Sequence, residues 1–143
     1  MKIEFNVPHV FSNRSSRTED AKVLRVLLES LIAVNRVFVR HHTVKSLYRS
    51  GVVYGRTREW DSIPALYARG YGDCKSLTAV RIAELREAGI TATPVFRFML
   101  RDNGFKDFHI LVKIIDKNNK TIWEDPSKAL GMGQNENDHF SNG

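Results

Sequence analysis

The sequence predicts an α+β fold, with helices in the first half and an antiparallel meander in the second. Two observations carry this. Apolar residues recur at helical spacing up to Gly89, and after it the period drops from about 3.6 to 2. Gly and Asx clusters then cut the second half into short strands, among them Asp102-Asn103-Gly104 and Asp116 to Asn119.

The elements follow in order. Ile3, Phe5 and Val7 alternate with Lys2, Glu4 and Asn6, which predicts a short edge strand stopped by Pro8. Residues Ser12 to Arg17 are polar and read as a loop. Thr18 is placed as an N-cap, with Glu19 and Asp20 in a first turn where acids suit the helix dipole. Leu24, Leu27, Leu28, Leu31, Val34 and Phe38 then predict a long helix from Glu19 to Val39. A shorter helix is expected over Val44 to Arg49, ended by Gly51. Ser62 is placed to cap a short helix through Pro64, Ala65, Leu66 and Tyr67. Gly70 and Gly72 break the chain. Asp73 opens the next helix, whose inward residues are Leu77, Val80, Ile82 and Leu85. Strands are expected at Thr93 to Arg101, Phe108 to Ile115 and Thr121 to Glu124. Residues 1–130 form one domain, and residues 131–143, GMGQNENDHFSNG, have little to bury and read as a loose tail.

Composition narrows the chemistry. A chain of 143 residues buries about 68–70% of its unfolded surface, enough for a real core. No apolar run approaches the roughly 18 residues of a membrane span, and the N-terminus lacks an apolar signal region. A cytoplasmic location, in a bacterial cell or a phage-infected host, is expected, with no membrane partner. The single cysteine allows neither an internal disulfide nor a multi-cysteine zinc site. The five histidines show no HExxH spacing, so neither a metal nor a cofactor is expected. Net charge is +6, and Arg14 to Arg58 holds ten Lys/Arg against three Asp/Glu. This suits a nucleic-acid footprint, but the charges interleave with a helical apolar stripe, which favours a solvated helix face. Phe38, Tyr48 and Tyr54 are not spaced as a stacking platform.

The lone cysteine sits in GYGDCKS, where a glycine-rich loop turns into a helix. With Asp73 as N-cap, Cys74 takes the first helical position. Free N–H groups and the dipole then favour its thiolate, the nucleophilic form. The flanking glycines let backbone approach the sulfur and leave room for a substrate. The same placement also suits a small buried filler. A thiolate nucleophile needs a base and the base an orienting acceptor. His109, in FHILVKI, lies on the strand face opposite Phe108, Ile110, Val112 and Ile114. Asp125, in WEDPS, stands at a strand end before Pro126.

Together, GDCKSLTAVRIAELREAGI, FHILVKI and WEDPS resemble the core of the transglutaminase-like superfamily, a branch of the papain-like thiol enzymes. The resemblance covers about Ala65 to Leu130. It implies a papain-like core in which Cys74 attacks an acyl carbon, His109 moves protons and Asp125 holds the imidazole. The Cys74 N–H would be one oxyanion donor; no motif of the resemblance places the second, for which Trp60 and Tyr71 are the candidates. The implied activity is acyl transfer on the amide or peptide bond of a protein or peptide substrate. Hydrolysis and capture by an amine both remain open. A non-catalytic phage or bacterial assembly module and a basic nucleic-acid binder are the alternatives.

The hairpin after Ile115 adds a geometric condition. Successive strand residues alternate faces, so His109 and Asp125 share a face only if opposed residue numbers have an even sum. That requires an odd-length loop, such as Asp116 to Asn118 or Lys117 to Asn119, or a bulge. A two-residue loop at Asn118-Asn119 would turn Asp125 away. Cys74 at its helix start is expected over the same face, with its sulfur roughly 3–4 Å from a ring nitrogen of His109.

Overall fold

The computed structural model describes residues 17–100 and 106–133. The expected strand at Lys2 to Val7 and the turn at Asp102 to Gly104 lie outside them, as does the tail from residue 134. Helix α1 spans Arg17–His41. Thr18 therefore lies inside its first turn rather than capping it, while Glu19 and Asp20 stay where the dipole favours them. The buried stripe runs through Leu24, Leu28, Ile32 and Asn35, and Val34 faces solvent. A polar residue thus replaces the expected valine at the inner face.

Asn35 has a partner to explain its burial. Its Oδ1 accepts the Ile63 N–H over 2.9 Å, at the start of α2 (Ile63–Arg69). Ser62 stands at the N-cap position but makes no side-chain cap bond. The orphan donor of α2 is satisfied from another helix rather than from its own sequence neighbour. The helix expected over Val44 to Arg49 shrinks to one 3-10 turn at Leu47–Arg49. Such a segment is too short to carry the nucleation cost of an α-helix. Ser50 closes it, donating Oγ to Leu47 O over 2.6 Å, and Gly51 follows with φ of 84°.

Helix α3 (Cys74–Glu87) is the centre of the molecule. Every side chain from Cys74 to Val80 is buried. One apolar cluster joins Ile82, Ala83 and Leu85 to Leu28 and Ile32 of α1 and to Ala92, Ile110, Val112 and Ile114 of the sheet. A second joins Leu77 and Val80 to Leu47, Val52, Ile63 and Leu66. Ion pairs tie α1 to the far end of α3. Arg86 grips Glu29 with contacts of 2.6 and 2.9 Å, and Arg36 Nε lies 2.7 Å from Glu87. Arg40 Nη2 reaches the same Glu87 at 2.8 Å.

The main sheet is three-stranded and antiparallel, giving the α+β class. β3 (Thr91–Leu100) pairs with β4 (Lys106–Ile115) from Thr91↔Ile115 to Leu100↔Lys106. β5 (Thr121–Glu124) pairs with β4 from Ile115↔Thr121 to Val112↔Glu124. A second, parallel pair joins β1 (Val53–Tyr54) to β2 (Tyr71–Gly72). After β5, α4 (Pro126–Ala129) packs back toward α3. The chain does not loosen at Gly131 as expected. Met132 is buried, and its N–H donates to Ser127 O over 2.8 Å.

The Asn35 cap yields a paired prediction. Asn35→Ala strands a buried N–H and lowers unfolding free energy by about 1–3 kcal/mol. Ser62→Ala stays within about 0.5 kcal/mol. Urea unfolding of the two variants checks both.

Candidate active site

The GYGDCKS stretch folds as a parallel bridge running into a helix. Gly70 ends α2 with φ of 84° and donates its N–H to Leu66 O over 2.9 Å. Gly72 lies so close to α2 that a Cβ there would stand 2.5 Å from Leu66 Cδ1. These glycines answer to local packing and turn geometry, rather than to approach of backbone to the sulfur. Asp73 holds the N-cap position, yet its side chain makes no cap bond. Its carboxylate accepts from the buried Lys75 ammonium instead.

The second half of the site depends on the β4–β5 hairpin. Asp116 N–H donates to Lys120 O over 2.9 Å, enclosing a three-residue loop, Lys117 to Asn119. Asn119 N–H closes the turn onto Asp116 O at 3.0 Å. Asn119 takes φ of 63°, which asparagine tolerates. Asp116 Oδ1 accepts from the N–H groups of Asn118 and Lys120 at 2.9 and 2.8 Å. The loop is odd in length, and opposed residues sum to an even number throughout. His109 and Asp125 therefore share a face, and Asp125 Oδ2 lies 2.9 Å from His109 Nε2. Asp125 Oδ1 accepts the Lys128 N–H over 3.1 Å and so caps α4.

The sulfur does not lie over the His109 face as expected. The cluster containing Cys74 draws Ile110, Val112 and Ile114 from β4, the face opposite His109. The body of α3 thus covers the other side of the sheet. The β5 ladder ends at Val112↔Glu124, and among the described residues no strand lies beside β4 beyond that point on that edge. The first turns of α3 occupy this gap. Thr78 Oγ1 donates to Ile110 O over 3.5 Å, and the Ile110 N–H bears on the Cys74 thiol. Cys74 therefore meets the β4 edge one residue along from His109.

The electrostatics correct a second expectation. Position N1 of a helix favours thiolate, but Cys74 is only 7% exposed. Burial, reinforced by the charges of Asp73 and Asp125, pushes its thiol up to about 12, against the pull of Lys75 and the Ile110 N–H. Burial thus favours the neutral thiol over the thiolate. Burial also raises the Asp73 carboxyl from its ordinary value, opposed by Lys75. Burial acts the same way on Asp125, but the His109 hydrogen bond and charge and the Lys128 N–H outweigh it and hold that carboxyl low.

The segment between β1 and α2 helps to bury the thiol. Lys75 Nζ donates to Thr57 O over 2.8 Å. The Asp61 N–H donates to Ser76 Oγ over 2.9 Å. Asp61 is in turn held by Arg69 at 2.7 Å. Trp60 packs on the Cys74 cluster, with Lys75 Nζ 5.9 Å from its ring centroid. Tyr71 is exposed, and its ring lies against Gly55 and under Arg69. Of the two residues considered as second oxyanion donor, Trp60 is the one that packs on the cluster containing Cys74. Lys75 and Ser76 were not singled out by sequence reasoning. The signal available was a lysine directly after Cys74 in a helix with no exposed face at that end.

No family model, curated protein or solved structure matches this chain. No group of three or more His, Cys, Asp or Glu side chains suits a metal ion among the described residues. No helix among them is long and apolar enough to cross a membrane.

Two outcomes follow from this geometry. At pH 7, iodoacetamide labels Cys74 more slowly in the folded chain than in urea, where the thiol has an ordinary pKa of about 8.5. Lys75→Met removes a charge-assisted bond to the covering segment, of about 1.5–3 kcal/mol, and speeds folded-state labelling at least roughly tenfold. An unchanged rate would show that this strap does not gate the thiol. Asp125 is held below its unfolded value, so its contribution to stability is present above pH of about 3.9 and is lost as pH falls through the folded value. The stability gap between the protein and Asp125→Asn, measured by urea unfolding, therefore narrows on acidification below that pH.

Proposed function

We propose that the chain is a thiol-dependent acyl-transfer enzyme acting on amide or peptide bonds, with a papain-like, transglutaminase-like core. The observation that carries this reading is the 2.9 Å His109–Asp125 pair, set at the β4 edge where the N-terminus of α3 brings Cys74. In this reading Asp125 orients the imidazole. His109 accepts the thiol proton as substrate enters. The sulfur then bonds to the acyl carbon and the amine leaves with a proton from His109. Water or a second amine releases the acyl group. The neutral buried thiol fits a site in which the nucleophile is formed only on proton transfer to His109, once the covering segment has moved.

The test uses an activated ester, p-nitrophenyl acetate, followed by intact mass and peptide mapping. The expected result is a single acetyl group on Cys74, absent in Cys74→Ala and strongly slowed in His109→Ala. Added cadaverine, if captured, separates amine transfer from hydrolysis. Acetylation of Cys74 at equal rates with and without His109 would overturn the proposal.

A second reading is favoured by one observation, the burial of the only thiol. In it the fold serves as a non-catalytic assembly module of a phage or bacterium. The nucleic-acid reading is weakened because Arg36 and Arg40 grip Glu87 and Arg25 reaches Pro94 O at 3.5 Å. Much of the basic charge of α1 holds that helix in place. Salt-dependent retention of arbitrary DNA or RNA on a filter would restore that reading.

A further inference from the structure

Asp125 works only if the end of β5 is held still, and the ladder alone does not hold it. Val112↔Glu124 is the last pair, so Asp125 is the first residue beyond the sheet. Successive strand residues point to opposite faces. Glu124 therefore points toward the α3 side while Asp125 points toward His109. On the α3 side, Arg81 Nε donates to Glu124 Oε1 over 2.7 Å. The Tyr48 hydroxyl donates to the same oxygen, and the Arg81 guanidinium stacks on the Tyr48 ring at 5.1 Å. Glu84 also flanks Arg81 at 3.6 Å, and its other carboxylate oxygen accepts the Leu47 N–H at 2.8 Å.

Arg81 also stands in register with the thiol. Cys74, Thr78 and Arg81 follow at i, i+4 and i+7, one stripe of α3. Cys74 and Thr78 meet the edge of β4 just beyond the end of β5, and Arg81 meets the last residue of β5. Cys74 feels the Ile110 N–H, Thr78 reaches Ile110 O, and Arg81 grips Glu124. One helix face thus carries the sulfur at one end and the anchor of the carboxylate strand at the other.

We infer that Arg81, through Glu124, is a positioning residue that sets Asp125 against His109 and fixes both relative to Cys74. This rests on the acyl-transfer reading of the site, and the readouts below separate the two. The guanidinium does not touch the reacting atoms. Its action is to lock the backbone one residue before Asp125, so that the carboxylate keeps its 2.9 Å contact with the imidazole.

The experiment compares the full chain with Arg81→Met, Arg81→Lys and Glu124→Gln. The first readout is the downfield proton resonance of the His109 imidazole N–H bonded to Asp125, assigned by its loss in Asp125→Asn. The expected result is loss or broadening of that resonance in Arg81→Met and Glu124→Gln, with folded circular dichroism, and partial recovery in Arg81→Lys. The second readout is the acetylation rate of Cys74 by p-nitrophenyl acetate. It is expected to drop by about tenfold to a hundredfold in Arg81→Met, as for other groups that orient a reacting residue. If His109→Ala leaves acetylation unchanged, the acyl-transfer reading falls and the imidazole resonance alone decides the role of Arg81. A sharp, unshifted imidazole resonance in folded Arg81→Met or folded Glu124→Gln would overturn the inference. Glu124→Gln tests the same contact should Arg81→Met fail to fold.

Discussion

The N-terminal half of α3 is buried all round, and that single constraint organises the chain. A helix in such a position must find an apolar or hydrogen-bonding neighbour on every side. One side takes the sheet and α1, and the other takes α2 and the 3-10 turn. The short parallel bridge of β1 and β2 then delivers the chain to the helix start. The polar residues at that start are each given a partner. Ser76 accepts the Asp61 N–H, Thr78 reaches Ile110 O, and Lys75 bridges Asp73 and Thr57 O. The site is thus a by-product of how the helix start is sealed.

Sealing has an electrostatic consequence. The same first turn offers the sulfur a positive helix end and removes it from water. The two act in opposite directions on the thiol, and removal from water is the larger. Asp125 meets the same contest and resolves it the other way, because a hydrogen bond from His109 and a helix N–H act on it directly. The difference lies in direct partners. A carboxylate with two donors at 2.9 and 3.1 Å keeps its charge in a half-buried place, whereas a fully buried sulfur without a comparable pair does not.

Much of this was legible in the sequence. Periodicity placed α1, α3 and the last three strands, with Thr121–Glu124 at its observed bounds. For His109 and Asp125 to share a face, parity required an odd-length loop or a bulge before Asp125, and the loop is Lys117 to Asn119. What escaped was tertiary. Nothing local marks Asn35 as the cap of a helix 28 residues away. Glycines that read as room for a substrate serve Leu66 packing and a helix end. The side of the sheet that α3 covers was misread, because a motif fixes which residues meet but not which way round the helix arrives. The neutral thiol escaped for a related reason: a helix start is visible in sequence, and the depth at which it is buried is not.

The odd-length turn also restricts how this chain can change by inheritance. A single residue gained or lost between Ile115 and Thr121 would shift the pairing by one and carry Asp125 to the far side of the sheet. No atom of Cys74 or His109 need be altered for the pair to be lost. Two residues gained together would keep it. Length variation at this hairpin tip is thus quantised in steps of two unless a bulge intervenes. That makes the tip a recording device: in any lineage that keeps the His109–Asp125 contact, an odd change there must be accompanied by a second odd change in the same hairpin.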